Sequence, residues 1–364
     1  MRHFSKIFLA ATIGLSSAWL GIESSAARET AEPSLAASFR AKCASLAKSA
    51  EKKYEMTVRG TDGWLFFASE LRHVGAGQFW GEAAAKASQS PLPHHADPLP
   101  AILDFKAQLE KSGVELLLVP VPPKALVYPE ALLPSLKNPP RLDEQHQQFT
   151  ALLRENGVEV LDLMPDFLAH RAEAAGPVYL RQDTHWSGRG AVFASRRIAE
   201  VVKAKPWFGA VPKVKWASEW KRQPIEGDLW LGLTGKQPPR EVVPLRFVGT
   251  RAASAKTALK PVPINRQSPI LLLGDSHDLV FHEGGDMHAR GAGLPDQLAL
   301  DLGFAVDLIA VRGSGATPAR SNLMRRVRAD ANYLGRKKLV IWCFSAREFT
   351  ETMGWQKVPV VKPK

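Results

Sequence analysis

A chain of 364 residues with 45% apolar composition carries core material for one large α/β domain or two small ones, and is expected to fold unaided. Its formal charge of +12 favours an anionic glycan or a membrane surface over nucleic acid as partner, although the charge is dispersed and solubility explains most of it. Two cysteines and no internal repeat exclude a zinc-type cysteine cluster and a repeat array.

The opening residues, MRHFSKIFLAATIGLSSAWLGIESSAARET, set Arg2 and Lys6 before an apolar run from Ile7 to about Ile22, followed by the small residues Ser24, Ser25, Ala26 and Ala27. This layout predicts a secretory signal over residues 1–27, cut after Ala26 or Ala27. An uncleaved N-terminal anchor is the alternative, but a run of about 16 residues falls short of the roughly 20 that span a bilayer comfortably. Export implies a periplasmic or cell-envelope location, where a disulfide is chemically possible. Cys343 lies in the apolar stretch KLVIWCFS and reads as a core thiol, with a bridge to Cys43 as the alternative.

Residues 28–55 are predicted as an N-terminal helical arm. TVRGTDGWLFFASELRH places a turn at Gly63 before an aromatic run that suits a strand near a sheet edge, and SQSPLPHHADPLP reads as a loop. A regular rhythm follows: AILDFKAQLEKSGV is helical, ELLLVPVP a continuous apolar strand, LDEQHQQFTALLRENGV helical again, and EVLDLMPDF a further strand. Alternating helices and short apolar strands predict a parallel sheet covered on both faces. GRGAVFASRRIAEVVKA supplies another helix, and residues 204–265, with five prolines before residue 240 and no clear period, read as an irregular insertion. The rhythm resumes through SPILLLGDSHDLVF, DQLALDLGFAVDLIAVRG, SNLMRRVRADANYL and KKLVIWCFS, leaving residues 353–364 as a tail.

In ILLLGDSHD an apolar strand ends at Gly274 and delivers Asp275 and Ser276 at its carboxyl end, where ligands of open α/β sheets bind and a helix is expected to begin. A serine there exposes a hydroxyl, and the following backbone N–H groups can hold an oxyanion; an ordinary helix cap is the bland alternative. The hydroxyl needs a base and the base an orienting acid. The segment RQDTHWSGRGA offers both, because Asp183 and His185 project the same way from an extended chain. Asp183 capping the next helix, with His185 at the surface, is the competing reading. A different chemistry competes in GDSHDLVFHEGGDMH, where Asp275, His277, His282, Glu283, Asp286 and His288 could gather around a metal, although no established ligand spacing fits. Trp216, Trp220 and Trp230 are expected in the core more than as a sugar platform.

GDS late in the chain, with DTHW and a small-residue helix before it, resembles the SGNH-hydrolase-like domain of the alginate O-acetyltransferase AlgJ/AlgX family. VRGTDGWLFFASELRH, LLLVPVPPKALVYPE, IEGDLW, GAGLPDQLALDLG and KKLVIWCFSAREFTE agree in the family's order, so the resemblance spans roughly residues 56–350. It implies a three-layer α/β/α domain over residues 56–352 with Ser276 as nucleophile, His185 as general base and Asp183 as orienting acid. Acid and base precede the serine, a permutation of the usual SGNH order, and a triad is recognised by geometry. In VRGSGATPAR, Gly313 or Gly315 would add a second oxyanion N–H to that of Ser276. The asparagine usual in SGNH hydrolases is missing from this loop; Asn322 lies further on, and Ser314, Thr317 and Arg320 are substitutes. Arg312, Thr317 and Arg320 are substrate-binding candidates, a solvated basic face being the alternative for the two arginines. The implied activity is acetyl transfer to a polysaccharide hydroxyl, with the acetyl group arriving through a membrane-bound O-acyltransferase and no cofactor. An acetyl esterase with the same residues and a non-catalytic polysaccharide-binding subunit are the alternatives.

Overall fold

The structure, a computed structural model, describes residues 34–136, 139–251 and 259–361. The leader expected at residues 1–27 lies outside them. The helical arm begins at Leu35, where the Ser34 side chain accepts from Ala37 N–H at 3.1 Å, and runs Leu35–Lys52.

Ten strands are present among the described residues: β1 Thr57–Arg59, β2 Leu65–Phe67, β3 Glu115–Val121, β4 Glu159–Val160, β5 Ala217–Ile225, β6 Glu241–Thr250, β7 Lys260–Pro261, β8 Ile270–Gly274, β9 Asp307–Ala310 and β10 Leu339–Ser345. Five of them form one parallel sheet in the order β4-β3-β10-β8-β9. Central β10 pairs Leu339 with both Glu115 and Ile270 and is buried along its whole length. A strand with neighbours on both sides and helices on both faces has no solvent side, so its sequence shows no polar alternation.

Alternation survives instead as a division between two cores. Leu117, Val119, Leu272, Ile341 and Cys343 meet the first, under helices Leu35–Lys52, Gly188–Lys203 and Leu294–Leu302. Leu116, Leu118, Leu273, Trp342 and Phe344 meet the second, under helices Leu99–Glu110, Glu144–Glu155 and Thr317–Ala329. This is the three-layer α/β/α arrangement. Trp342, fully buried, donates its Nε1–H to Gly315 O at 2.8 Å, so truncating it would cost about 3–5 kcal/mol.

Three expectations are corrected. The Gly63 turn joins β1 and β2 into a separate antiparallel hairpin, not an edge of the main sheet, and Trp64 and Phe66 are buried there. Among its described residues the 204–265 insertion holds a regular ribbon, since β5 and β6 pair antiparallel over nine residues and β7 adds a short third strand. Its prolines, Pro224 and Pro244, hid the pattern; both sit where the ribbon has an open edge, which tolerates the missing N–H. Residues 353–361 are no loose tail, because Trp355, Val358 and Val360 are buried in the second core. Cys43 and Cys343 are both buried free thiols, so the bridge is not formed. Among the described residues no helix is long and apolar enough to cross a membrane.

Candidate active site

The last residue of β8 must be glycine: a Cβ at Gly274 would lie 1.7 Å from Cys343 O on β10. Beyond it, the Asp275 carboxylate accepts from His277 N–H and Ser345 N–H, each at 2.8 Å, and pins the turn to the end of β10. A helix does begin here, as a short 3₁₀ turn over Ser276–Asp278. Gly315 packs directly on this turn, since a Cβ there would lie 2.9 Å from Asp275 N.

The segment carrying Asp183 and His185 folds back on itself, with Leu180 N–H bonding His185 O at 3.2 Å and Tyr179 bridging Trp186. Helix Gly188–Lys203 is capped by Ser187, whose Oγ accepts from Arg189 N–H and Gly190 N–H. Asp183 is therefore free of capping. Beneath, buried Lys124 donates its ammonium to the carbonyls of Leu180, Arg181 and Asp183 at 2.9, 3.2 and 2.7 Å. Burial pushes Lys124 down to about 8, against the pull of Glu70 and other carboxylates.

These supports bring the three sequence-selected side chains together. Ser276 Oγ lies 2.8 Å from His185 Nε2, and His185 Nδ1 lies 2.6 Å from Asp183 Oδ1. All three residues are buried, with Ser276 and His185 each 6% exposed. A carboxylate only accepts, so Nδ1 carries the proton and Nε2 is left to face the hydroxyl. Asp183 Oδ1 also takes His185 N–H at 2.9 Å, while Oδ2 takes Asp228 N–H and His288 Nε2–H, each at 2.9 Å. Burial opposes charge on both partners, but they stabilise each other: Asp183 is held well below the usual carboxylate range, and the Asp183 charge raises His185 above its ordinary value.

Asp228, brought in by the insertion, accepts Thr184 N–H at 2.8 Å and Thr184 Oγ–H at 2.6 Å. Burial and the neighbouring Asp183 charge raise its pKa. Asp183, His185 and Asp228 are also the described residues whose ligand atoms lie close enough, within 4.8 Å, to share a metal ion. Each is already engaged in the hydrogen bonds above, an arrangement that suits a proton-transfer pair.

The rival cluster at residues 275–288 is dispersed. His277 bonds Asp275 (3.1 Å), His282 bonds Asp296 (2.8 Å), His288 bonds Asp183, and Glu283 and Asp286 each pair with Arg312 at 2.6 Å. Arg312, a substrate-binding candidate, is exposed and links the two loops through these ion pairs. Arg320, a further candidate, is corrected. It is fully buried, its guanidinium stacked on Trp342 and Trp355, and burial lowers it to about 10. Thr317 donates to Gly354 O at 2.7 Å and accepts from Arg320, so it joins the C-terminal segment to its helix and offers nothing to a ligand. Ser314 donates to buried Glu348 at 2.6 Å, and Asn322 pairs with Arg325 on an exposed surface. Gly313 takes φ +82° with open space around it, whereas Gly315 lies against the serine turn. Trp230 donates to Pro238 O at 2.7 Å, Trp216 packs on a small third core, and Trp220 is half exposed, unlike the core placement expected of it.

Lys124, Asp228 and the placement of His288 were missed. IEGDLW contains Asp228, but no spacing rule links an acid in an insertion to a loop more than forty residues earlier.

A parallel three-layer domain with a serine at the carboxyl end of β8 and an Asp-x-His segment beside it has the architecture of an SGNH hydrolase-like domain. Residues 57–346 match the family model described as the SGNH hydrolase-like domain of acetyltransferase AlgX, and the chain belongs to that family. A protein named "Probable alginate O-acetylase AlgJ" from Pseudomonas putida is 33% identical over 174 residues, 47% of this chain and 40% of the relative. The protein of the same name from Pseudomonas aeruginosa is 31% identical over 40% of this chain and 33% of its own length. The matched region thus spans about two fifths or less of these relatives. The solved O-acetyltransferase domain of Pseudomonas putida AlgJ superposes with a TM-score of 0.59 at 25% identity, covering 81% of this chain and 92% of that one. Pseudomonas aeruginosa AlgX, at 19% identity, shares the fold, with a TM-score of 0.60 over 88% of this chain and 70% of that one.

Proposed function

We propose that the protein transfers acetyl groups to hydroxyls of an exported polysaccharide through an acyl-enzyme on Ser276. The single observation that carries this reading is the unbroken contact from Ser276 Oγ to His185 Nε2 and from His185 Nδ1 to Asp183. His185 takes the Ser276 proton as Oγ attacks the donor carbonyl, and the leaving group departs with that proton. A sugar hydroxyl then gives its proton to His185, attacks the acyl-enzyme, and the proton returns to Oγ. The N–H groups of Ser276 and Gly315 are the donors offered to the oxyanion. The relatives' names support a polysaccharide acceptor, alginate in their case, and the net charge of +12 suits an anionic one. The acetyl donor would come through a membrane-bound O-acyltransferase, which requires export by the leader.

The test is turnover of an activated acetyl ester with and without oligosaccharide, alongside labelling by a serine-directed fluorophosphonate. Transfer predicts Ser276-dependent labelling and acetylated sugar with little hydrolysis. Hydrolysis indifferent to sugar would make the protein an esterase, and no labelling at all would make it a binding subunit.

A further inference from the structure

Asp183 has a second histidine. His288 Nε2 lies 2.9 Å from Asp183 Oδ2, opposite the oxygen that holds His185, and Asp183 is only 1% exposed. A carboxylate offers about four lone-pair sites, and His185 N–H, His185 Nδ1–H, Asp228 N–H and His288 Nε2–H fill them.

The backbone at His288 is held in a costly shape to make this contact. With φ +68° and ψ −60°, and Ala289 N–H bonded to Met287 O at 2.9 Å, it is the central residue of a γ-turn of the rarer, strained hand. Strain of this kind persists where the surroundings over-determine it. Here a Glu283–Arg290 bridge closes the loop, and Arg312 clamps Glu283 and Asp286 from the glycine loop beside Ser276. A glycine would adopt the turn freely, yet an imidazole stands there.

We infer that His288 is a positioning residue that fixes the Asp183 carboxylate, and through it the His185 ring, for the reaction at Ser276. This rests on the acyl-transfer reading above. The charged and titratable groups facing the pair are His185, Asp228, Lys124 through the Asp183 carbonyl, and Asp275 and His277 beside the His185 ring. Removing the His288 N–H leaves the Asp183 charge less dispersed, so His185 holds its proton more tightly.

The experiment follows 4-nitrophenol release from 4-nitrophenyl acetate by the full chain with oligosaccharide acceptor present, from about pH 5 to about pH 9. His288→Ala should lower kcat/KM on the order of ten- to a hundredfold and move the acid limb to higher pH. His288→Gln, which keeps an N–H near the Nε2 position, should restore most of the rate and the wild-type limb. His288→Gly should keep or raise the melting temperature by relaxing the turn, without restoring the rate. A wild-type rate and limb in His288→Ala, or full recovery in His288→Gly, would overturn the inference. Ser276→Ala separates the two readings: if it is dead while His288→Ala is silent, only this inference fails, and if it turns over normally the acyl-transfer reading falls as well.

Discussion

Two Asp-x-His pairs stand side by side in this molecule, Asp183–His185 and Asp275–His277, with the same spacing and the same local bonding. In each, the aspartate Oδ1 accepts both the histidine backbone N–H and its Nδ1–H. Their rings lie 4.9 Å apart, yet their surroundings shift their pKa values in opposite directions. His277 is 1% exposed, against Trp186 at 5.2 Å; burial lowers its pKa against the pull of Asp275, and the nearby Arg347 and the His185 ring act in the same direction as burial. His185 is also buried, but Asp183, Asp228 and Asp275 all act on it and carry it upward. The local pattern makes the pair, and the surrounding carboxylates decide whether it is a basic imidazole facing a hydroxyl or a neutral strut.

The sharpest break of that comparison is at the serine, whose Oγ bonds the ring of His185 and not that of His277. Ser276→Ala should reduce acetyl-ester turnover about 10⁴-fold or more with little change in melting temperature. Asp183→Asn should cost about 10³-fold and shift the acid limb of the rate profile to lower pH, because the largest upward pull on His185 is lost while its burial remains. An upward shift would contradict the electrostatic account. His277→Phe should leave turnover within about tenfold of wild type but destabilise the fold by about 1–3 kcal/mol, read by denaturant unfolding, as Asp275 loses its ring donor. Equal rate losses in His277→Phe and His185→Phe would erase the distinction drawn here. In stability against pH, the raised His185 contributes fully below its ordinary 6.5 and loses that contribution as pH rises through the folded value. Thermal unfolding of Asp183→Asn should lack that loss. Trp220→Ala, on a half-exposed ring, should change stability by less than about 0.5 kcal/mol, so any fall in polysaccharide binding measures a surface contact.

Strands β3, β8 and β10 were readable because a buried parallel strand must be apolar on both sides, and ELLLVPV, ILLLG and LVIWCFS have no other home. GDS and DTHW were readable as segments because their residue types are chemically suggestive and their backbones locally constrained. The ribbon β5–β6 was not, since prolines and an exposed face blur its period of two, and neither was the packing of Trp355 and Val360 under the sheet.

What the sequence determined by itself is therefore local: which stretches must be buried, where the sheet ends in a serine, and which histidine has an aspartate two residues before it. What only the tertiary structure decided is partnership across distance. Lys124 under the Asp183 carbonyl, Asp228 from the insertion, His288 on the far carboxylate oxygen, and Arg320 buried between tryptophans all depend on chain segments meeting after the core has formed. Hydrogen bonds and ion pairs act over a few ångströms, and no periodicity along a chain records which remote residues will come within that range.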